Sequence, residues 1–410
     1  MHADVVVIGA GAFGLSVALQ CAMAGRRVTV LERHTAGSQA SGRAAGLFKS
    51  VQADELRTRL ARRSIDMAAG FADWAGVPLE VARSGSFLVA RTAAHREFLV
   101  RELAQSRSWG ADVREADPAQ LAGQLSYYRT AGQELALWCP EDIYIEEPAS
   151  LIQAYLAACR RHGAEVAENE PVIGIQVTAG QVAGVETVWR SVAAPVVVDA
   201  AGGWVRQVAE LAGAWMPVAP VRHQLLITAP SAQVNPADPI VRVVDAAVYL
   251  RPARGGLMAG GFEADPLPVD PRQQAASFTT DDMPLDLGVL RRLTAQVAAE
   301  VPVVGTAPGP VAEHRGGMFT MSPDGRFVAG PLPDLPGLWV ASGCNGSGFS
   351  SSPALGEALA AWIVDGAPPM DLSPMRPGRE GAIGEDALRA ACLASYAHHY
   401  WDKAPQDAVA

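Results

Sequence analysis

Gly9-Ala10-Gly11-Ala12-Phe13-Gly14 places three glycines at the spacing G-x-G-x-x-G, directly after the apolar run Val5-Val6-Val7-Ile8. Four apolar residues, three of them consecutive valines, suit a strand buried on both faces of a parallel sheet. A helical pattern then runs to about Ala24, Gly25 supplies its C-terminal cap, and "RRVTVLER" gives a second strand ending at Glu32. In such a unit Gly9 permits the tight turn, Gly11 admits a pyrophosphate to the backbone, and Gly14 lets helix and strand pack closely. Free N–H groups around Ala12 and Phe13 suit phosphates. Glu32 stands where a carboxylate accepts ribose hydroxyls and repels a 2′-phosphate. The chemistry is recognition of an ADP-containing dinucleotide, with a ligand-free packed turn as the alternative. The motif alone does not separate NAD from FAD.

The residues downstream favour FAD. "HTAGSQASGRAAGLFKS" is a small, polar loop rather than another strand–helix unit, and Ser41, Gly42, Arg43, Ala44, Ala45, Gly46 and Leu47 suit a backbone draped over a ligand. "APVVVDAAGGW" reads as a buried strand ending at Ala200, Ala201, Gly202 and Trp204. Near the end come a strand, a turn of Gly343, Asn345, Gly346, Ser347, Gly348, Phe349 and Ser350, and a helix with Ser352 and Pro353 as its expected N-cap and first residue. Three strand-to-glycine junctions so far apart imply a discontinuous nucleotide-binding domain with other material between its pieces.

Bulk properties exclude several classes. A chain of 410 residues with a formal charge of −10 has no basic stripe for nucleic acid. Its five cysteines are odd in number and widely spaced, which points away from a disulfide framework or zinc site and towards a reducing, cytoplasmic setting. No histidine spacing suggests a metal. The N-terminal apolar run lacks the basic flank of a signal peptide, and a membrane span would not explain its glycine spacing.

These strings, together with "SGSFLVA", "PVRHQLLIT", "VYLRP", "MSPDGRFVAGP" and "ASGCNGSGF", resemble the D-amino acid oxidase/sarcosine oxidase family of FAD-dependent amine oxidoreductases, in its glycine oxidase and sarcosine dehydrogenase branch. The resemblance implies an α/β fold. A Rossmann-like FAD-binding domain would be assembled from 1–50, 150–220 and 311–366. An α+β substrate domain with an antiparallel sheet would comprise 51–149 and 221–310, and 367–410 would form a tail and helix. It adds Arg33 and Val172 to the FAD contacts. The last helix resembles one that leads into a folate-binding domain in dimethylglycine and sarcosine dehydrogenases; here the chain is expected to stop short of such a domain, with the helix packed on the surface. The implied reaction moves a hydride from the amine carbon to flavin N5, and the resulting imine hydrolyses.

Six residues are candidates for that chemistry. Lys49 is one of two lysines in the chain, the other being Lys403, and it lies in the flavin loop. Binding a substrate carboxylate, polarising oxygen and simple loop exposure are all open for it. Tyr249 matches a tyrosine lining the substrate site in the family. Histidine as a residue type titrates near neutrality, which makes His223 and His314 candidates for amine deprotonation. Where relatives carry a carboxylate-binding arginine, two residues after the position of Gly317, this chain has Phe319; Lys49, Arg251 or Arg315 are the possible substitutes. Arg43 and Gly317 stand where relatives carry a flavin-linking histidine or cysteine, so FAD is expected to be non-covalent. The expected substrate is a secondary amine or amino acid, with oxygen or a protein as electron acceptor. The alternatives are a flavoprotein subunit of a larger dehydrogenase and a non-catalytic dinucleotide-binding module.

Overall fold

The computed structural model describes residues 1–305 and 311–400. One sheet has six strands in the spatial order Val328–Pro331, Leu338–Ser342, Val196–Asp199, Val5–Ile8, Val28–Leu31 and Glu165–Ala167. Every pairing is parallel except that between Val328–Pro331 and Leu338–Ser342. The unbroken apolar run of the first strand is explained by its two covered faces. Val5 and Val7 pack with the helices Ala12–Met23, Pro148–Arg161 and Gly348–Asp365. Val6 and Ile8 pack on the other side, with Ile175, Val185 and Val192 of a three-stranded sheet. Neighbours on either side of the first strand follow it at different points of the chain. The crevice beyond its C-terminal end is therefore where an open α/β sheet takes a ligand.

The second sheet has eight strands, in the order Val311–Met321, Ala219–Thr228, Gly256–Gly261, Val248–Ala253, Ile240–Val243, Ser86–Ala90, Leu135–Cys139 and Arg114–Ala116. It is antiparallel except between Ile240–Val243 and Ser86–Ala90. Val311–Met321 falls in a segment expected to belong with the nucleotide-binding strands, yet it pairs along its length with Ala219–Thr228 in this second sheet. Conversely Glu55–Ala69, from the stretch expected to roof the site, packs on Gly348–Asp365, with Ala354 N–H donating to Ser64 Oγ at 3.1 Å. Both differences arise because hydrophobic pattern fixes an element's type and leaves its partner open.

The late helix also starts earlier than Ser352-Pro353 suggests. It begins at Gly348 after Ser347, and Pro353 lies inside it. Proline would leave the Phe349 carbonyl without its helical donor. The Ser352 hydroxyl supplies one instead, donating to Phe349 O at 2.9 Å. The C-terminal helix, Glu385–Ala397, does not merely rest on the surface. Leu388, Cys392 and Tyr396 follow one face and are buried against Ala219, Val221 and Met321. The end of the expected tail, Lys403 included, lies outside the described residues, as do 306–310.

One buried charge cluster ties the flavin loop to the second sheet. Asp142 Oδ1 accepts from Ser50 N at 2.7 Å and Ser50 Oγ at 2.6 Å, and its Oδ2 accepts from Ser86 Oγ at 2.5 Å and Arg242 at 3.2 Å. Asp142 and Arg242 are both fully buried. Removing one member of such a pair strands the other charge. Asp142→Asn is expected to lower the unfolding free energy by about 3–5 kcal/mol in denaturant titration, whereas combining it with Arg242→Met should cost less than the two single changes added together.

Candidate active site

A cavity of about 510 Å³ opens at the C-terminal end of the first strand, and its lining includes Gly9, Gly11 and Glu32 together with Lys49, Tyr249 and Phe319. At the first end, glycine is required by close approach. A Cβ on Gly9, whose φ is +103°, would lie 2.6 Å from Ala200 O, and one on Gly14 would lie 2.0 Å from Gly9 O. The helix that follows starts at Gly11 without a cap from that residue; Ser41 Oγ accepts from Ala12 N at 3.1 Å. Glu32 is fixed by two backbone donors, Ala10 N and His34 N, each at 2.8 Å. A glycine cradle, a helix N-terminus and an anchored carboxylate fit the pyrophosphate and ribose of FAD.

The loop that would cover the flavin is held by arginines. Arg251, buried beneath it, donates to Ala45 O at 2.8 Å, Glu146 O at 2.9 Å and Pro252 O at 2.7 Å, with its guanidinium 4.7 Å from the centre of the Tyr144 ring. Arg315 donates to Ala44 O at 3.1 Å, and Arg43 to Ser38 O at 3.1 Å and Asp281 at 2.5 Å. Across the cavity, Gly348, Phe349 and Ser350 bring the start of an 18-residue helix to the wall, with no side chain capping it. Its unpaired N–H groups and dipole favour negative charge there. Asn345, at φ +45°, braces the preceding turn by donating to Gly343 O, Arg326 O and Ser322 Oγ.

The other end is aromatic. His223 is buried, with Nδ1 2.8 Å from the Tyr396 hydroxyl and Nε2 2.9 Å from the Tyr249 hydroxyl. Its ring stacks on Phe319, with centroids 4.2 Å apart and planes at 16°. Phe262 stacks on His399 at 3.9 Å and 10°, and Tyr400 meets Phe262 edge-on at 5.4 Å. Lys49 points over the Tyr400 ring at 5.9 Å. Burial, with the Arg242 guanidinium adding to it, pulls its ammonium down to about 7. Burial likewise pulls His223 down to about 3, so the ring is neutral at ordinary pH.

Of the sequence-derived candidates, Lys49, Tyr249 and His223 meet at this end, and the cavity also takes in Phe13, Arg33, Leu47, Val172, Ala201, Gly202 and Trp204. Gly14, Gly42, Gly343, Asn345 and Ser347 are outside the lining and shape the turns behind it. Arg251 is a correction: its donors are spent on carbonyls, so it does not face a substrate. His314 is another, because strand alternation turns it from the cavity and Nε2 lies 3.1 Å from Gln224 Oε1. Phe262, Tyr396, His399 and Tyr400 were missed; for the last three the cluster of aromatic rings at the end of the last helix was the signal. His223 and His399 both have lowered pKa values, caused first by burial. Below the ordinary value of 6.5 the unfolded chain takes up protons that these rings refuse, so the stability present above that pH is lost as pH falls. His399→Phe is expected to reduce the fall in urea midpoint between about pH 7.5 and 5.

Comparison with known proteins agrees with this geometry. The DAO family model, described as FAD dependent oxidoreductase, matches residues 4–362. The 4-methylaminobutanoate oxidase (formaldehyde-forming) of Paenarthrobacter nicotinovorans is 29% identical over 375 residues, covering 91% of this chain and 45% of that protein. Mitochondrial dimethylglycine dehydrogenase of Mus musculus is 28% identical over 394 residues, covering 93% and 44%. The chain thus spans less than half the length of these curated relatives. In fold it is similar to L-proline dehydrogenase from P. horikoshii, with a TM-score of 0.82 and 22% identity over 92% of this chain and 98% of that one. A glycine cradle, an anchored ribose carboxylate and a family match running from the first strand to the last long helix agree: the chain belongs to the DAO family of FAD dependent oxidoreductases.

Proposed function

We propose that the chain oxidises the C–N bond of a secondary amine or N-alkyl amino acid, using non-covalent FAD, to an imine that hydrolyses to a carbonyl compound and a smaller amine. The observation that carries this reading is the single cavity that joins the dinucleotide cradle to the end lined by Lys49 and Tyr249. Relatives named for 4-methylaminobutanoate and dimethylglycine, both N-methylated amines, support the substrate class. Bound FAD supplies the hydride acceptor. The chain's own residues do the rest. An amine can release hydride only with its lone pair free, and Lys49 Nζ, whose ammonium is pulled down to about 7 by burial, takes the proton from the arriving ammonium. The open helix start at Gly348 holds negative charge on the far wall. The rings of Phe262, Phe319 and Tyr400 keep water from the reacting carbon.

Non-covalent attachment is supported by the two positions at which a link would form. Arg43 is engaged with Asp281 and Ser38 O, and Gly317 packs on Ala40. Five unpaired cysteines, four of them buried, support a reducing compartment such as the cytoplasm. Among the described residues no helix is long and apolar enough to cross a membrane. Oxygen or a protein takes the electrons onward, and amine-dependent hydrogen peroxide release by the isolated chain selects oxygen.

The purified chain is expected to be yellow, to bleach anaerobically with its amine substrate, and to lose its colour to the supernatant on acid precipitation. A colourless chain that binds no FAD overturns the reading, and colour kept in the pellet overturns non-covalent attachment. For the proton acceptor, kcat/KM should rise with pH through about 7. Lys49→Met should abolish that inflection and lower kcat/KM about 100-fold at pH 8.

A further inference from the structure

We propose that the substrate end of the cavity selects an amine carrying an aromatic or extended apolar group over small α-amino carboxylates, and that the turn anchored by the C-terminal helix supplies the wall that makes this choice. The inference rests on the amine-oxidation reading above and narrows its substrate.

The first support is the absence of a carboxylate clamp among the described residues. A small zwitterion brings a carboxylate that, in a pocket shut from water, needs a bidentate partner. The two buried arginines nearest the flavin loop are committed: Arg251 to three backbone carbonyls, Arg315 to Ala44 O and Glu313. Phe319 lies flat on His223, whose two ring nitrogens are taken by Tyr249 and Tyr396. Neither nitrogen is left for a carboxylate. Lys49 is the cation remaining at this end, and its ammonium is pulled down to about 7.

The second support is what covers the compartment. Glu385 opens the last helix and is gripped by Arg206 at 2.6 Å and Arg272 at 2.8 Å. Leu388, Cys392 and Tyr396 then press the helix against the second sheet. That anchoring delivers Tyr396 to His223, His399 to the face of Phe262, and Tyr400 to the cavity wall above Lys49. Gly260 leaves room for Tyr249 to lie across its strand, since a Cβ there would meet the phenol oxygen at 2.2 Å. Rings of Tyr249, Phe262, Phe319 and Tyr400 thus face the space in which the amine's substituents must sit, and such faces favour apolar and aromatic groups.

The test uses the FAD-loaded chain and two pairs of probes. N-methylbenzylamine and sarcosine are compared by anaerobic flavin bleaching. Benzyl methyl ether and methoxyacetate, their oxygen isosteres, cannot form an imine and are compared by perturbation of the visible spectrum. The aromatic member of each pair is expected to win, by about tenfold in apparent second-order rate and in affinity. Tyr400→Ala and Phe319→Leu should each erode that margin, and Phe319→Arg should shift it towards sarcosine and methoxyacetate. Methoxyacetate binding more tightly than benzyl methyl ether to the unaltered chain overturns the proposal and needs no variant. So does a faster bleach with sarcosine, or a margin that Tyr400→Ala and Phe319→Leu leave unchanged. A chain that holds FAD, binds the ethers in the expected order and is bleached by no amine sinks the amine-oxidation reading alone.

Discussion

The backbone of Gly9 lies so close to Ala200 that no side chain fits between them. That contact joins the end of the first strand to the end of Val196–Asp199, its neighbour in space but nearly two hundred residues away in sequence. The nucleotide crevice exists because these two strand ends meet with nothing but backbone between them. Gly14 repeats the constraint one turn later, against Gly9 itself. Once both approaches are made, the helix start, the anchored Glu32 and the flavin loop have fixed positions from which to be built.

Charge is used in this structure mainly to hold backbone. Arg251, Arg315 and Arg43 each point donors at carbonyls of the loop that runs past the flavin position. Asp142 gathers Ser50, Ser86 and Arg242 and so fixes the residue next to Lys49. A buried arginine bonded to three carbonyls is satisfied and rigid, but it cannot also meet a ligand. The segments it joins become one rigid wall, on which the few polar groups that face the cavity are held in place.

The first strand, its glycine turn, the second strand ending at Glu32 and the strand ending near Ala200 were legible because periodicity and turn glycines are local properties. Lys49, His223 and Tyr249 stood out one by one, for lysine scarcity, for an imidazole and for a family resemblance, and their meeting at one end of the cavity depends on the fold. What escaped depends on orientation. Arg251 and Tyr249 are two residues apart on one strand and share a face, yet the longer side chain reaches past the cavity to the loop carbonyls. His314 is turned from it by register alone. Pro353 argued for a helix start, and only a serine hydroxyl supplying the missing donor lets the helix run through it. The tail pattern around Tyr396 gave a helix but not its partner, because burial of one face says nothing of what lies beneath.

The contact between Tyr396 and His223 joins the last helix to the strand next to one edge of the second sheet, while the dinucleotide cradle is drawn from other segments. The dinucleotide cradle and most of the aromatic wall of the cavity therefore come from different stretches of chain. Exchanges confined to residues 385–400 leave every glycine of the cradle and every arginine of the flavin loop untouched. Changes in the final segment can thus redraw the far wall of the cavity while the crevice between the strand ends keeps its shape.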